Sequence, residues 1–310
     1  MRRSVCCGLL LCLMILGSNP RMQGQTIHAF YFIAATDSVT FENAARNIDL
    51  IRAKKAVGKV AKRLNYKLDA RSEHIFKGKY CSKEGLNAAF SDFHCSDKDI
   101  VIFYYSGHGQ STGDTANQLP VLNLMYPGDS RDAVPLRVIA ERLKTCGAHL
   151  VFMVTDCCNR SWSEYDTAWR IEEKGIGFDD PKGSDHCMVL ALTACEQGAV
   201  TAYNGDLSSQ KRDARFYRRL VLGEIEDYDD EKGNLPLGSW FTHILSDNVL
   251  DMLSQDSYDR KETRISWTKL IDILTSNLCD YVCGYNYIQK VREVSDVTQK
   301  YKPYYEIIFN

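Results

Sequence analysis

Two short clusters carry the residue types from which a hydrolytic site can be built. The first is Tyr104-Tyr105-Ser106-Gly107-His108-Gly109 and the second is Thr155-Asp156-Cys157-Cys158-Asn159. Cysteine and histidine together supply a strong nucleophile and a base that titrates near neutrality. His108 stands between two glycines, so the chain there can turn sharply and pass close to a bound peptide. Cys158 follows Asp156 at the end of an apolar run, where successive backbone N–H groups can cup an oxyanion. Cys158 lies 50 residues after His108.

Such clusters need a scaffold that brings them together. Residues 27–34, 99–105, 148–155 and 186–194 are continuous apolar runs with the character of buried strands, and 304–309 would be a last strand. A short strand is expected at 66–70. Helical spacing appears at 50–64, through Leu50, Ala53, Val57, Val60, Ala61 and Leu64, with Asp49 as the expected N-cap. Further helices are expected at 83–93, 135–144, 209–226, 240–253 and 267–281. Alternation of strand and helix implies an α/β fold with a mostly parallel sheet and helices on both faces. Ligands of such sheets bind beyond the carboxyl ends of the strands, which is where both clusters fall. Residues 160–184 are rich in charge and glycine, without sustained period, and are expected as a surface linker.

The first cluster resembles the histidine motif of the caspase and metacaspase superfamily, and the 50-residue separation agrees with the spacing of its dyad. Thr155 to Ser161 resembles the Asp-x-Cys-His-Ser-Gly nucleophile motif of the metacaspase-like branch, in which the cysteine two positions after the aspartate attacks. That register selects Cys158 over Cys157. Gly238-Ser239-Trp240-Phe241-Thr242 resembles an element before a late helix of the same domain. The resemblance implies a caspase-like three-layer α/β/α sandwich and a cysteine endopeptidase acting on peptide or protein substrates. Cys158 would be the nucleophile and His108 its proton-transfer partner. The N–H groups of Gly109 and Cys158 would hold the oxyanion.

Asp156 and Ser106, each two residues before a catalytic candidate, are expected to line the pocket for the residue preceding the cut. A carboxylate in a partly desolvated cleft favours a cation, and Arg can meet it with a bidentate fork. Cleavage after Arg, then Lys, is therefore expected, with Asp disfavoured by like-charge repulsion. The family's second pocket acid lies in the helix after the first strand. The register there falls on Ala56, with Asp49 as the substitute if the preceding loop is rearranged, so a one-acid pocket is the expectation. Asn159-Arg160-Ser161 departs from the family's His-Ser-Gly, which keeps a silent caspase-like binding protein as the rival reading. A clostripain- or gingipain-like peptidase would share dyad and sheet.

Composition excludes other classes. Formal charge is −2, from 38 basic and 40 acidic side chains, so no global field attracts nucleic acid. Arg2-Arg3 followed by an apolar run to Gly17 has the layout of a secretory signal, expected over residues 1–24, with a single peptidase domain over 25–310. Export to the periplasm or exterior follows, without stable membrane insertion once the signal is removed. Of twelve cysteines, nine lie beyond the signal, an odd number that leaves at least one thiol outside any intrachain pairing. The Cys279-x-x-x-Cys283 pair has no second pair nearby, so no metal is expected. Asp114, Asp129 and Asp132 are scattered rather than clustered as in calcium-activated metacaspases, and no cofactor is expected.

Overall fold

The computed structural model describes residues 25–35, 41–113, 117–124, 133–159, 187–195, 203–204, 238–252, 274–277 and 303–309. In chain order the elements are β1 (Thr26–Ile33), α1 (Phe41–Leu64), β2 (Lys67–Lys77), α2 (Lys83–Phe90), β3 (Ile100–Ser106), β4 (His108–Gln110), β5 (Val121–Asn123) and β6 (Ala133–Pro135). They continue with α3 (Leu136–Lys144), β7 (Leu150–Asp156), β8 (Met188–Thr193), β9 (Tyr203–Asn204), β10 (Gly238–Ser239), α4 (Trp240–Met252) and β11 (Tyr304–Phe309).

Six strands form the central sheet in the order β11-β8-β7-β3-β1-β2. All neighbouring pairs are parallel except β8 with β11. Side chains alternate between faces along each strand, and the two resulting cores have different covers. Ile27, Tyr31, Ile102, Tyr104 and Leu192 pack with Ala53, Val57 and Ala61 of α1 and with Phe241 and Ile244 of α4. Phe30, Phe32, Phe103, Val151 and Val189 pack with Leu86 and Phe90 of α2 and with Ile139 and Leu143 of α3. The fold is thus a three-layer α/β/α sandwich with a mostly parallel sheet. In the second core the Phe30 and Phe90 rings meet edge to face at 4.8 Å. Truncating such a buried ring to alanine typically costs about 3–5 kcal/mol.

Three boundaries differ from the sequence expectation. α1 begins at Phe41, so Asp49 is an interior helical residue and not an N-cap. The extra turns escape a search for apolar period because their buried face is largely polar, with Asn43, Arg46 and Asp49 beside Ala45 and Ile48. β2 extends to Lys77; it is an edge strand, and its polar sequence KLDARSEHIFK lacks the apolar run of the central strands. α2 ends at Phe90. Beyond the sequence reading, a small antiparallel sheet of β4, β5 and β6 follows directly on the His108 turn.

Residues 1–24 and 160–186 lie outside the described residues, as do Asp114, Asp129, Asp132, Cys279, Cys283 and the helix expected at 209–226. Among the described residues no helix is long and apolar enough to cross a membrane.

Candidate active site

The two central strands end level with each other. Ser106, the last residue of β3, is the register partner of Asp156, the last residue of β7. The chain is tied across just beyond this pair, where the Gly107 N–H donates to the Asp156 carbonyl at 3.2 Å. His108 and Cys158 each stand two positions past one member of the pair, so the register of the sheet brings their turns side by side.

Alternation also separates the adjacent cysteines. Cys157 belongs to the core under α2 and α3 and is buried, whereas Cys158 is half-buried. Burial, with the nearby Cys158 and Asp156, pushes the Cys157 thiol well up, away from the thiolate that attack requires. His108 is half-buried. Its backbone is fixed by pairing with Asn123 in the small sheet, and its carbonyl accepts from the Tyr105 hydroxyl at 2.7 Å. The same hydroxyl lies 2.6 Å from the Asn123 carbonyl. Burial holds Tyr105 well above its ordinary pKa, so it remains a donor.

Gly109 must be glycine. A Cβ there would meet the Cys158 carbonyl oxygen and the Cys157 sulfur, each at 2.6 Å. The backbone of the histidine turn therefore lies directly on that of the Cys157-Cys158 turn, with Gly109 at their contact. Asn159, which departs from the family motif, is buried and donates its amide to the Gln118 carbonyl at 2.7 Å. It lies 3.5 Å from the Cys195 carbonyl as well. It pins the turn after Cys158 to two neighbouring segments.

Ser106 and Asp156 face the α1 and α4 side, where a buried polar cluster interrupts the first core. Asp49 of α1, the substitute acid of the sequence expectation, is a member of it. The Ser106 hydroxyl lies 3.4 Å from Asp49 Oδ2, and the Ser239 N–H donates to Asp49 Oδ1 at 2.9 Å. Ala56, the register expected for a pocket acid, lies two helical turns further on, and Asp49 takes the place beside Ser106. Arg52, one turn along, stands 3.9 Å from Asp49. On the other strand, Thr242 Oγ1 donates to Asp156 Oδ2 at 2.5 Å. That hydroxyl has one hydrogen, so at 2.7 Å the Tyr104 O–H donates to Thr242 in turn. Burial and the two carboxylates push Tyr104 well above its usual pKa, consistent with a donor.

Asp49, Ser106, Asp156 and Ser239 are all fully buried. Desolvation raises the Asp49 carboxyl well above the usual carboxylate range, and the charge of Asp156 raises it further. Arg52, the Ser239 N–H and Ser106 act in the opposite direction. The two buried carboxylates share this dry site with the Arg52 guanidinium beside Asp49.

The sequence reading thus named Ser106, His108, Gly109, Asp156 and Cys158, and the sheet gathers their backbone positions at one edge. It offered Asp49 as an N-cap and as the substitute pocket acid behind Ala56, and it noted Thr242 only within a motif. Tyr104 and Ser239 are further supports of the cluster.

The caspase-domain family profile matches residues 49–259. No curated protein matches the chain. Of solved structures, the chain is similar to caspase-1 from Spodoptera frugiperda, at 14% identity over 92% of this chain and 86% of that one, with a TM-score of 0.39. It is also similar to a Geobacter sulfurreducens protein, at 14% identity over 65% of this chain and 88% of that one, with a TM-score of 0.31. By the extent of the profile match, which begins at Asp49 and encloses both turns, the chain belongs to the caspase-domain family.

Proposed function

We propose that this protein is a cysteine endopeptidase that cleaves after Arg, with Lys second, through Cys158 and His108. The Cys158 thiolate attacks the scissile carbonyl carbon, and the carbonyl electron pair moves to oxygen. The N–H groups of Gly109 and Cys158 stabilise that oxyanion, a contribution of about 2.7–4 kcal/mol per donor in comparable sites. His108 gives its proton to the leaving amine as the tetrahedral intermediate collapses to a thioester. It then takes a proton from water, whose oxygen attacks the thioester and releases Cys158.

The observation that carries the specificity is the buried pair Asp49 and Asp156 around Ser106. A guanidinium entering between two carboxylates can bind both in a planar fork. An Asp side chain there would add a third negative charge. In this reading Asp49, the substitute acid of the sequence expectation, joins Asp156 in the pocket, and the preference for Arg over Lys is correspondingly sharper. The chain is further proposed to be exported, since residues 1–24 have the layout of a signal. Self-cleavage within 160–184, where Arg170, Lys174 and Lys182 lie, would follow from the same specificity.

The test is kcat/KM on otherwise identical fluorogenic peptides ending in Arg, Lys, Asp or Asn. Arg should be fastest, and Cys158→Ala should abolish turnover of all. An enzyme that prefers Asp or Asn would overturn the pocket assignment.

A further inference from the structure

At the opposite edge of the sheet, beneath the amino ends of the same two central strands, a second pair of thiols meets. Cys95 precedes β3 and Cys146 precedes β7, and their sulfur atoms are 3.8 Å apart. The contact is supported by the backbone. The Cys95 N–H donates to the Cys146 carbonyl at 2.9 Å. Standard bond lengths on either side of such a hydrogen bond cap the Cα–Cα separation at about 6.8 Å. A disulfide spans about 4.4–6.8 Å between Cα atoms, so the two backbones lie within bridging range. Gly147 makes the approach feasible. Its φ is +93°, and a Cβ there would meet the Cys95 carbonyl oxygen at 2.8 Å.

We infer that Cys95 and Cys146 form an intrachain disulfide that clamps the amino ends of β3 and β7. The inference is independent of the proposed peptidase chemistry. Both thiols lose their protons and together give up two electrons to a disulfide oxidant, a glutathione-type or protein disulfide, which is reduced to two thiols. Exchange begins with one thiolate attacking that oxidant, and the second thiol then displaces the bound half from the mixed disulfide. The hydrogen bond between the two thiols pushes Cys95 up and, with the Ala148 N–H and the Arg142 charge, lowers Cys146, so Cys146 is the thiolate of the pair.

Two rival arrangements use the same neighbourhood. Cys187, before β8, is close enough for its thiol to feel Cys146, but burial pushes it up to about 12. A metal could use His28, Cys95 and Asp99, whose ligand atoms lie within 4.8 Å of one another. Asp99, however, already accepts the Thr26 N–H at Oδ1 and the Ser96 N–H at Oδ2, both at 2.9 Å, so it serves as a backbone cap.

The test is peptide mapping of the purified full chain after equilibration in mixed oxidised and reduced glutathione, with remaining thiols alkylated. The expected result is a cross-linked peptide pair containing Cys95 and Cys146, a mass lower by two hydrogens, and a Tm several degrees above that of the reduced protein. In Cys95→Ser/Cys146→Ser the redox dependence of Tm should vanish; the wild-type map stands even if that variant folds poorly. Cross-linking of Cys146 to Cys187, alkylation of both Cys95 and Cys146 after oxidation, or protection of both by one retained equivalent of zinc would each overturn the inference.

Discussion

Asp49 and Asp156 share one serine: Ser106 reaches the first carboxylate through its hydroxyl and is the register partner of the second. The carboxylates come from a helix on one side of the sheet and from the end of a strand within it, and neither is exposed to solvent. The charge of Asp156 is a principal reason, after burial, why the Asp49 carboxyl is raised. Such an arrangement costs stability and is retained where binding makes use of it.

The first prediction concerns that cost. Because the folded-state pKa of Asp49 is raised, the folded protein binds more protons than the unfolded chain above about pH 4, and stability falls as pH rises through that window. Asp49→Asn keeps an acceptor for the Ser239 N–H and removes the charge. Its Tm should match wild type near pH 4 and exceed it at pH 7, at about 2–4 °C for each kcal/mol recovered. Thermal unfolding across pH decides this, and a lower Tm at pH 7 would contradict it.

The same variant should lose selectivity. Replacing one of two carboxylates facing a guanidinium is expected to reduce kcat/KM for Arg peptides by 10-fold or more, equivalent to about 1.4 kcal/mol. Alkylation of Cys158 by a small, uncharged electrophile should be little changed. Parallel rate measurements with the peptide and with iodoacetamide separate the two effects.

For wild type, kcat/KM on Arg peptides should fall as pH drops through the raised pKa of Asp49, because binding needs the ionised acid. This acidic limb should lie above the ordinary carboxylate range and be absent from the iodoacetamide rate. A flat profile down to pH 4 would remove Asp49 from the pocket.

Gly109→Ala places a methyl group against the Cys158 carbonyl and the Cys157 sulfur. The two turns must then separate, which displaces an oxyanion donor, and kcat should fall by about 10²-fold or more while KM changes little. Steady-state kinetics on the Arg peptide checks it.

Much of this architecture was legible because the buried strands are nearly unbroken apolar runs, and the two chemical clusters sit immediately after β3 and β7. The Ser106 to Asp156 register was implied by the equal offsets to His108 and Cys158. Asp49 was legible only as a substitute for Ala56, and its place inside α1 was hidden for a physical reason: where α1 faces the polar cluster, its buried positions are Asn43, Arg46 and Asp49, and apolar periodicity fails. The β4 to β6 sheet was missed because each strand has only three residues, too few to show alternation. The Cys95 to Cys146 contact joins segments that are remote in sequence, and spacing alone does not distinguish that pairing from any other.

The central claim is that Cys158 is the nucleophile beside a pocket that reads Arg. Its most direct test is the site and stoichiometry of labelling by an irreversible electrophilic peptide ending in Arg, followed by peptide mapping. The account predicts one equivalent on Cys158, none in Cys158→Ala, near wild-type labelling in Cys157→Ala, and slow reaction of the matched peptide ending in Asp. Labelling of Cys157, or equal labelling by the Asp peptide, would contradict it.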